Sequence, residues 1–215
     1  MTKFINLHTH TFSNLSDVME VVNQYPWEFD ASIPSYSIGI HPWYIDENRL
    51  ETDLETIKQK LQLDKCLALG ECGLDKRIEI PLELQISVFK QQLELVKETQ
   101  KPIVLHCVAA YDEVIAIKKE MKMENPMIIH GFSKNEKVAQ SLLKNAFYLS
   151  FGKYLLRNPD LEKVFIFAPE NQILLETDTI EESIYQVYEK AAAIKGISVE
   201  EMKTIVFTNF STIFS

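Results

Sequence analysis

Strand-length apolar runs recur eight times along this chain, and that recurrence constrains the fold more than any single motif. The runs are "KFINLH" (3–8), "VMEVVNQ" (18–24), "SYSIGI" (35–40), "KCLALGE" (65–71), "PIVLHC" (102–107), "PMIIHG" (126–131), "AFYLSF" (146–151) and "QILLETD" (172–178). Apolar residues three and four apart predict helices over 47–63, 79–100, 110–122, 134–145, 158–168, 181–195 and 198–207. Ser198 with Glu201 reads as a capping box opening the last of them. Parallel strands need a crossover between them, so this alternation points to parallel β/α construction. Eight such units predict an α/β fold of the (β/α)8 TIM-barrel type, in a compact version whose first two units hold shortened or missing helices. No repeat, low-complexity tract or linker interrupts the 215 residues, so 1–215 is expected to be one domain.

Charge narrows the function classes. The formal net charge is -9, so the molecule as a whole repels polyanions, and a phosphate-bearing substrate must be drawn in by a local feature such as bound cations. A basic nucleic-acid-binding face is not expected. Cys66, Cys72 and Cys107 are odd in number, lie in apolar stretches and form no C-x-x-C pair, which fits reduced thiols. Strand alternation points Cys72 and Cys107 away from their neighbours Glu71 and His106, to pack as small apolar residues. The chain passes from Lys3 straight into a strand-like run without a signal-peptide core, and no apolar stretch approaches the ~18 residues of a membrane span. A cytoplasmic protein with no membrane or protein partner is the expectation.

The five histidines, His8, His10, His41, His106 and His130, all fall at or within two residues of the C-terminal end of a predicted strand, where barrels of this type build their sites. In "HTH", alternation turns His8 and His10 to one face, as a shared metal requires and as an exposed strand end also permits. Glu71 closes the fourth strand, with Asp75 four residues on, and Asp178 closes the eighth beside Glu176. Imidazole and carboxylate together suit Zn²⁺, Mn²⁺, Fe²⁺ or Ni²⁺, while Mg²⁺ prefers oxygen-rich shells. A carboxylate bridging histidine pairs is the arrangement of a two-metal hydrolytic site. Asn6 shares the face of His8 and His10 and sets how much negative charge a first cation meets. His41, in "GIHPW", reads either as a phosphate or supporting contact, or as a rim histidine buttressed by Pro42 and Trp43. Lys153 and Lys134 are either phosphate contacts or solvated lysines at helix starts, and Ser133 either donates to substrate or caps a helix beginning at Lys134. The "FKQQLELVKE" stripe is expected to cover the sheet.

The motifs "NLHTHT", "GIHPW", "GECGLD", "QISVFKQQLELVKE", "KPIVLHC", "IIHGFS", "YLSFGKYL", "LLETDT" and "NFSTIF" resemble, in order and along nearly the whole chain, the TatD-type metal-dependent hydrolases of the amidohydrolase-like barrel superfamily. The resemblance implies a divalent-metal-dependent deoxyribonuclease or phosphodiesterase acting on a phosphoester substrate that includes DNA among its candidates. It implies that His8 and His10 hold one metal, that Glu71 bridges, that His106 and His130 hold the second, and that Asp178 binds metal or serves as base. Two cations would then activate a water between them, with Asp178 and Glu71 as the catalytic carboxylates. This chain differs from the family pattern at Asn6, where aspartate is usual, at Val108, where a basic residue is common, and at Ile180, which replaces a proline.

Three other readings fit parts of the pattern. An N-terminal His-x-His also opens phosphoesterases of the polymerase-and-histidinol-phosphatase type, which act on small monoesters with three metals and more histidines than this chain has. Hydrolysis of a C–N bond would call for a bridging lysine where Glu71 stands. A metal-binding barrel without catalysis is the third.

Overall fold

A computed structural model of the chain describes residues 2–215. All eight expected strands form: β1 (Phe4–Thr9), β2 (Val18–Gln24), β3 (Tyr36–Ile38), β4 (Cys66–Asp75), β5 (Ile103–Val108), β6 (Met127–Ile129), β7 (Phe147–Phe151) and β8 (Ile173–Leu175). They lie in one sheet in chain order, and the pairs β1–β2, β3–β4, β4–β5 and β7–β8 run parallel. The helices are α1 (Leu50–Lys60), α2 (Leu82–Val96), α3 (Tyr111–Glu120), α4 (Glu136–Lys144), α5 (Lys153–Arg157), α6 (Asp160–Phe167), α7 (Ile184–Lys195) and α8 (Val199–Ile213). This is the (β/α)8 TIM-barrel class. Among the described residues no α-helix separates β1 from β2 or β2 from β3, and one 3-10 turn, Pro26–Glu28, takes the place of the second. No helix of the described residues is long and apolar enough to cross a membrane.

The residues group into two compact units, one made of the chain up to Val22 together with Ile128–Ser215, the other of Asn23–Met127. The first has a core of β1, β7 and β8, with α7 and α8 packed on β1 and β8 and α4 on β7. Ser183 and Ser198 each complete a capping box, with Gln186 and Glu201, so both helices start at fixed points. Beside β1, the buried Tyr188 hydroxyl accepts from Ile5 N at 3.0 Å and donates to Ile5 O at 3.1 Å, so a side chain satisfies backbone groups in the place of a neighbouring strand.

In the second unit α2 lays its apolar stripe against β4, as the "FKQQLELVKE" pattern predicts. Two buried glutamines on that stripe act as clamps. Gln92 accepts from Ile40 N and donates to Ile40 O, while Gln85 accepts from Asp75 N and donates to Asp75 O. β4 runs four residues further than its apolar pattern, pairing Asp75 with Val108 of β5. Cys66, Cys72 and Cys107 are all buried and none is in a disulfide. Burial pushes the Cys66 thiol up to about 12 and the Cys72 thiol higher still.

Candidate functional site

In the first unit, β1 delivers His8 near its C-terminal end, His10 follows one residue beyond it, and Asp178 lies three residues past β8. Main-chain hydrogen bonds fasten these positions together. Asp178 N donates to His8 O at 2.9 Å, Thr177 N to the same oxygen at 3.3 Å, and His10 N to Asp178 O at 3.3 Å. Asp178 sits at φ 58, a left-handed conformation that aspartate adopts at modest cost. Its Oδ1 is 3.5 Å from His10 Nε2 and 4.0 Å from His8 Nε2. One ligand-type atom from each of His8, His10 and Asp178 lies within 4.8 Å of the other two.

Burial disfavours the charge on Asp178, but His130, His8 and Lys153 outweigh it and hold the carboxyl below its usual range. Lys153, the first residue of α5, places Nζ 2.8 Å from Asp178 Oδ2. Its ammonium is therefore ion-paired at the helix start. The His130 ring is 4.4 Å from that of His8, and its Nδ1 is 3.3 Å from Glu176 Oε1. That same oxygen accepts from Gly131 N at 2.8 Å, so Glu176, 0% exposed, fixes both the imidazole and the turn that follows it.

Asn6 spends its side chain on Thr177, donating from Nδ2 to Oγ1 at 2.9 Å and accepting from N at 3.0 Å. It is a brace beneath Asp178, while bringing no charge of its own. Ser133 does not cap a helix: α4 begins at Glu136, and its cap is Asn135, whose side chain accepts from Val138 N. Asparagine at that position reaches the third turn residue directly, which leaves Ser133 and Lys134 outside the helix.

In the second unit, β4 supplies Glu71 and Asp75, β5 supplies His106, and the turn after β3 supplies His41. Glu71 Oε1 is 3.0 Å from His106 Nδ1 and 3.2 Å from His41 Nε2. One ligand-type atom from each of these three lies within 4.8 Å of the others. The backbone N of Glu71 donates to Asn23 Oδ1 at 2.8 Å, which pins the strand at this point. His41 Nδ1 accepts from Trp43 N at 3.1 Å, which leaves Nε2 as the nitrogen facing Glu71. His41 thus turns Nε2 toward the Glu71 carboxylate.

Asp75 closes this set from the far side of His106, with Oδ2 3.4 Å from His106 Nε2 and 2.8 Å from Trp43 Nε1, and Oδ1 accepting from Arg77 N. Burial opposes the charge on Asp75, but donation from Trp43, Arg77 and His106 leaves the carboxyl below its usual range. Sequence reasoning placed Asp75 and Glu176 beside the candidate carboxylates and Trp43 as a buttress of His41, without their contacts, and did not single out Asn23. The available signal was position: Asp75 shares a strand with Glu71, and Glu176 stands two residues before Asp178.

Each unit therefore presents two imidazoles and a carboxylate at short range, a donor set that fits a divalent first-row metal. Ionisable groups buried this densely are costly unless a cation or a hydrogen-bond partner compensates them. Such a set can hold a Lewis acid, orient an anionic group and carry a proton.

Comparison with known proteins agrees with this chemistry. A family model described as TatD related DNase matches residues 1–215. A Bacillus subtilis protein named uncharacterized metal-dependent hydrolase YabD is 31% identical over 218 residues, covering 93% of this chain and 82% of the relative. An Erwinia billingiae protein named 3'-5' ssDNA/RNA exonuclease TatD is 30% identical over 146 residues, covering 65% of this chain and 55% of the relative. The crystal structure of the TatD homologue YJJV from Escherichia coli has the same fold, with a TM-score of 0.84 and 21% identity over 99% of this chain and 98% of that one.

Proposed function

We propose that this chain, which belongs to the TatD related DNase family and is a metal-dependent hydrolase acting on ester bonds, cuts phosphodiester linkages with two divalent cations as cofactors. The observation that carries the reading is the pair of donor sets, His8–His10–Asp178 and His41–Glu71–His106, each with its atoms within 4.8 Å. The ligand roles that the family resemblance gives Glu71, His106 and His130 belong to this proposal.

Bound divalent cations supply Lewis acidity to a phosphoryl oxygen and acidify the attacking water. The protein's groups do the rest. Asp178, kept ionised by its neighbours, accepts the proton lost by the attacking water and returns it to the leaving oxygen. Lys153, already beside Asp178, offers an ammonium to a phosphate oxygen. His41 holds Glu71 in its ligating orientation, and Glu176 does the same for His130. The exonuclease name of the Erwinia relative supports a nucleic acid strand as substrate.

Elemental analysis of the purified protein is expected to give about two divalent metals per chain, with chelation abolishing cleavage of bis-p-nitrophenyl phosphate. Glu71→Ala should lower metal content and remove activity. A folded protein that takes up no metal, or a Glu71→Ala variant with full activity, overturns the reading. Parallel assays on single-stranded DNA, duplex DNA and small monoesters rank the substrates.

A further inference from the structure

Trp43 is 53% exposed although it sits directly beside the His41–Glu71–His106 set. Its indole ring lies 5.1 Å from that of His41 and 5.8 Å from that of His106, at interplanar angles of 86° and 75°. An exposed tryptophan on a surface turn would ordinarily be free to swing. This one is held at both ends, by its backbone N–H on His41 Nδ1 and by Nε1 on Asp75 Oδ2 at 2.8 Å. Asp75 is only 3% exposed, so releasing the indole would leave its buried Oδ2 with the longer His106 contact at 3.4 Å alone. The result is a rigid aromatic plane, met edge-on by two imidazoles and open to solvent. Tyr44, 43% exposed, adds a second aromatic ring to the rim, itself packed on Tyr25 and Trp27. Arg77, exposed and fixed through its backbone N–H to Asp75, supplies a cation on the same support.

We propose that Trp43 is a base-stacking subsite that seats an unpaired nucleobase of a nucleic acid strand beside the His41–Glu71–His106 donor set. This inference rests on the phosphodiesterase reading and names its substrate class. Stacking suits a chain of net charge -9, because the face of a base carries no charge to repel and needs no basic groove. It is tolerant of sequence, since every base offers a π face. It also selects single strands over duplexes, in which those faces are already occupied. A phosphoester without a base gains nothing from Trp43.

The chain has two tryptophans, so Trp27→Phe leaves Trp43 as the sole indole emitter. The metal-loaded Trp27→Phe protein is titrated with a phosphorothioate-linked oligothymidylate and with the same backbone carrying abasic tetrahydrofuran units. The base-bearing strand should quench the indole and bind about tenfold more tightly than the abasic one, in line with alanine substitutions at stacking sites. In the full chain, Trp43→Ala should bring that ratio to about one by anisotropy of a labelled strand, and Trp43→Phe should recover part of it. Equal affinity for the two strands in the parent overturns the subsite without recourse to any variant, and so does a ratio that survives Trp43→Ala. Metal content and chelator-sensitive cleavage of bis-p-nitrophenyl phosphate are read in parallel. Cleavage without base discrimination defeats the subsite alone. Discrimination without metal uptake or cleavage defeats the hydrolytic reading and leaves Trp43 as a nucleotide-binding residue.

Discussion

Asn6 and Thr177 are joined by two hydrogen bonds, one from each end of the asparagine amide, directly under the segment that carries Asp178. Aspartate at position 6 could still accept from Thr177 N, and the threonine hydroxyl would turn round to donate. It would also bury a negative charge close to Asp178. Asn6→Asp is therefore expected to lower the melting temperature of the metal-free protein and to enlarge the rise on adding Mn²⁺ or Zn²⁺. Thermal melts with and without metal measure both effects, and an unchanged metal-induced shift counts against them.

Tyr188→Phe removes one oxygen yet strands two backbone groups, Ile5 N and Ile5 O. Leaving buried partners unsatisfied costs about 1–3 kcal/mol, so the urea midpoint should fall by that equivalent with the m-value unchanged. A loss below ~0.5 kcal/mol would mean that Ile5 finds other partners.

Lys153 and a metal cation compete for Asp178. The ammonium lies 2.8 Å from Oδ2 and repels any divalent ion placed between His8, His10 and Asp178. Lys153→Met is expected to tighten binding of one metal severalfold in calorimetric titration while raising KM for a phosphodiester. Weaker metal binding in the variant would show that Lys153 chiefly orients the carboxylate.

Burial pushes the Lys118 ammonium down to about 8. In the unfolded chain a lysine titrates near ~10.4, so between these values the unfolded state binds more protons than the folded one. The penalty is full below pH 8 and fades as pH rises toward the unfolded value, so this group makes stability increase with pH across that window. Lys118→Met should stabilise the protein at pH 7 and flatten the rise between pH 8 and 10, as read from urea midpoints at several pH values.

All three cysteines and both tryptophans fall within Asn23–Met127, whereas α4 to α8 belong to the other unit. Indole fluorescence and thiol labelling therefore report one unit, and far-UV dichroism reports both. If 1–215 is one cooperative domain, the three probes should trace a single urea transition, and the thiols should resist labelling at pH 8 until it begins. Separated midpoints would establish two domains.

The eight strands were legible because their apolar runs have the length and spacing of the fold itself. Their ends were less so. β4 continues past Glu71 through "CGLD", where Gly73 interrupts the apolar signal but the ladder to β5 carries on. β8 stops at Leu175, although Thr177 and Asp178 still donate to His8 O of β1 and Asp178 forms an isolated parallel bridge with Thr9. α5 has five residues, too few to show a helical period. In the candidate site, residue types were readable and partnerships were not. The bonds of Asp75 to Trp43 and of Asn23 to Glu71 join positions 32 and 48 residues apart, and local pattern carries no trace of such contacts.

His8, His10 and Asp178 owe their mutual placement first to main-chain hydrogen bonds, with the Asn6 side chain bracing Thr177 beside them. Replacing a neighbouring residue that takes no part in those bonds thus changes what the donors face without moving the donors. An architecture of this kind lets substrate preference drift through substitutions at positions whose main chain takes no part in those bonds, while the inorganic chemistry is inherited intact.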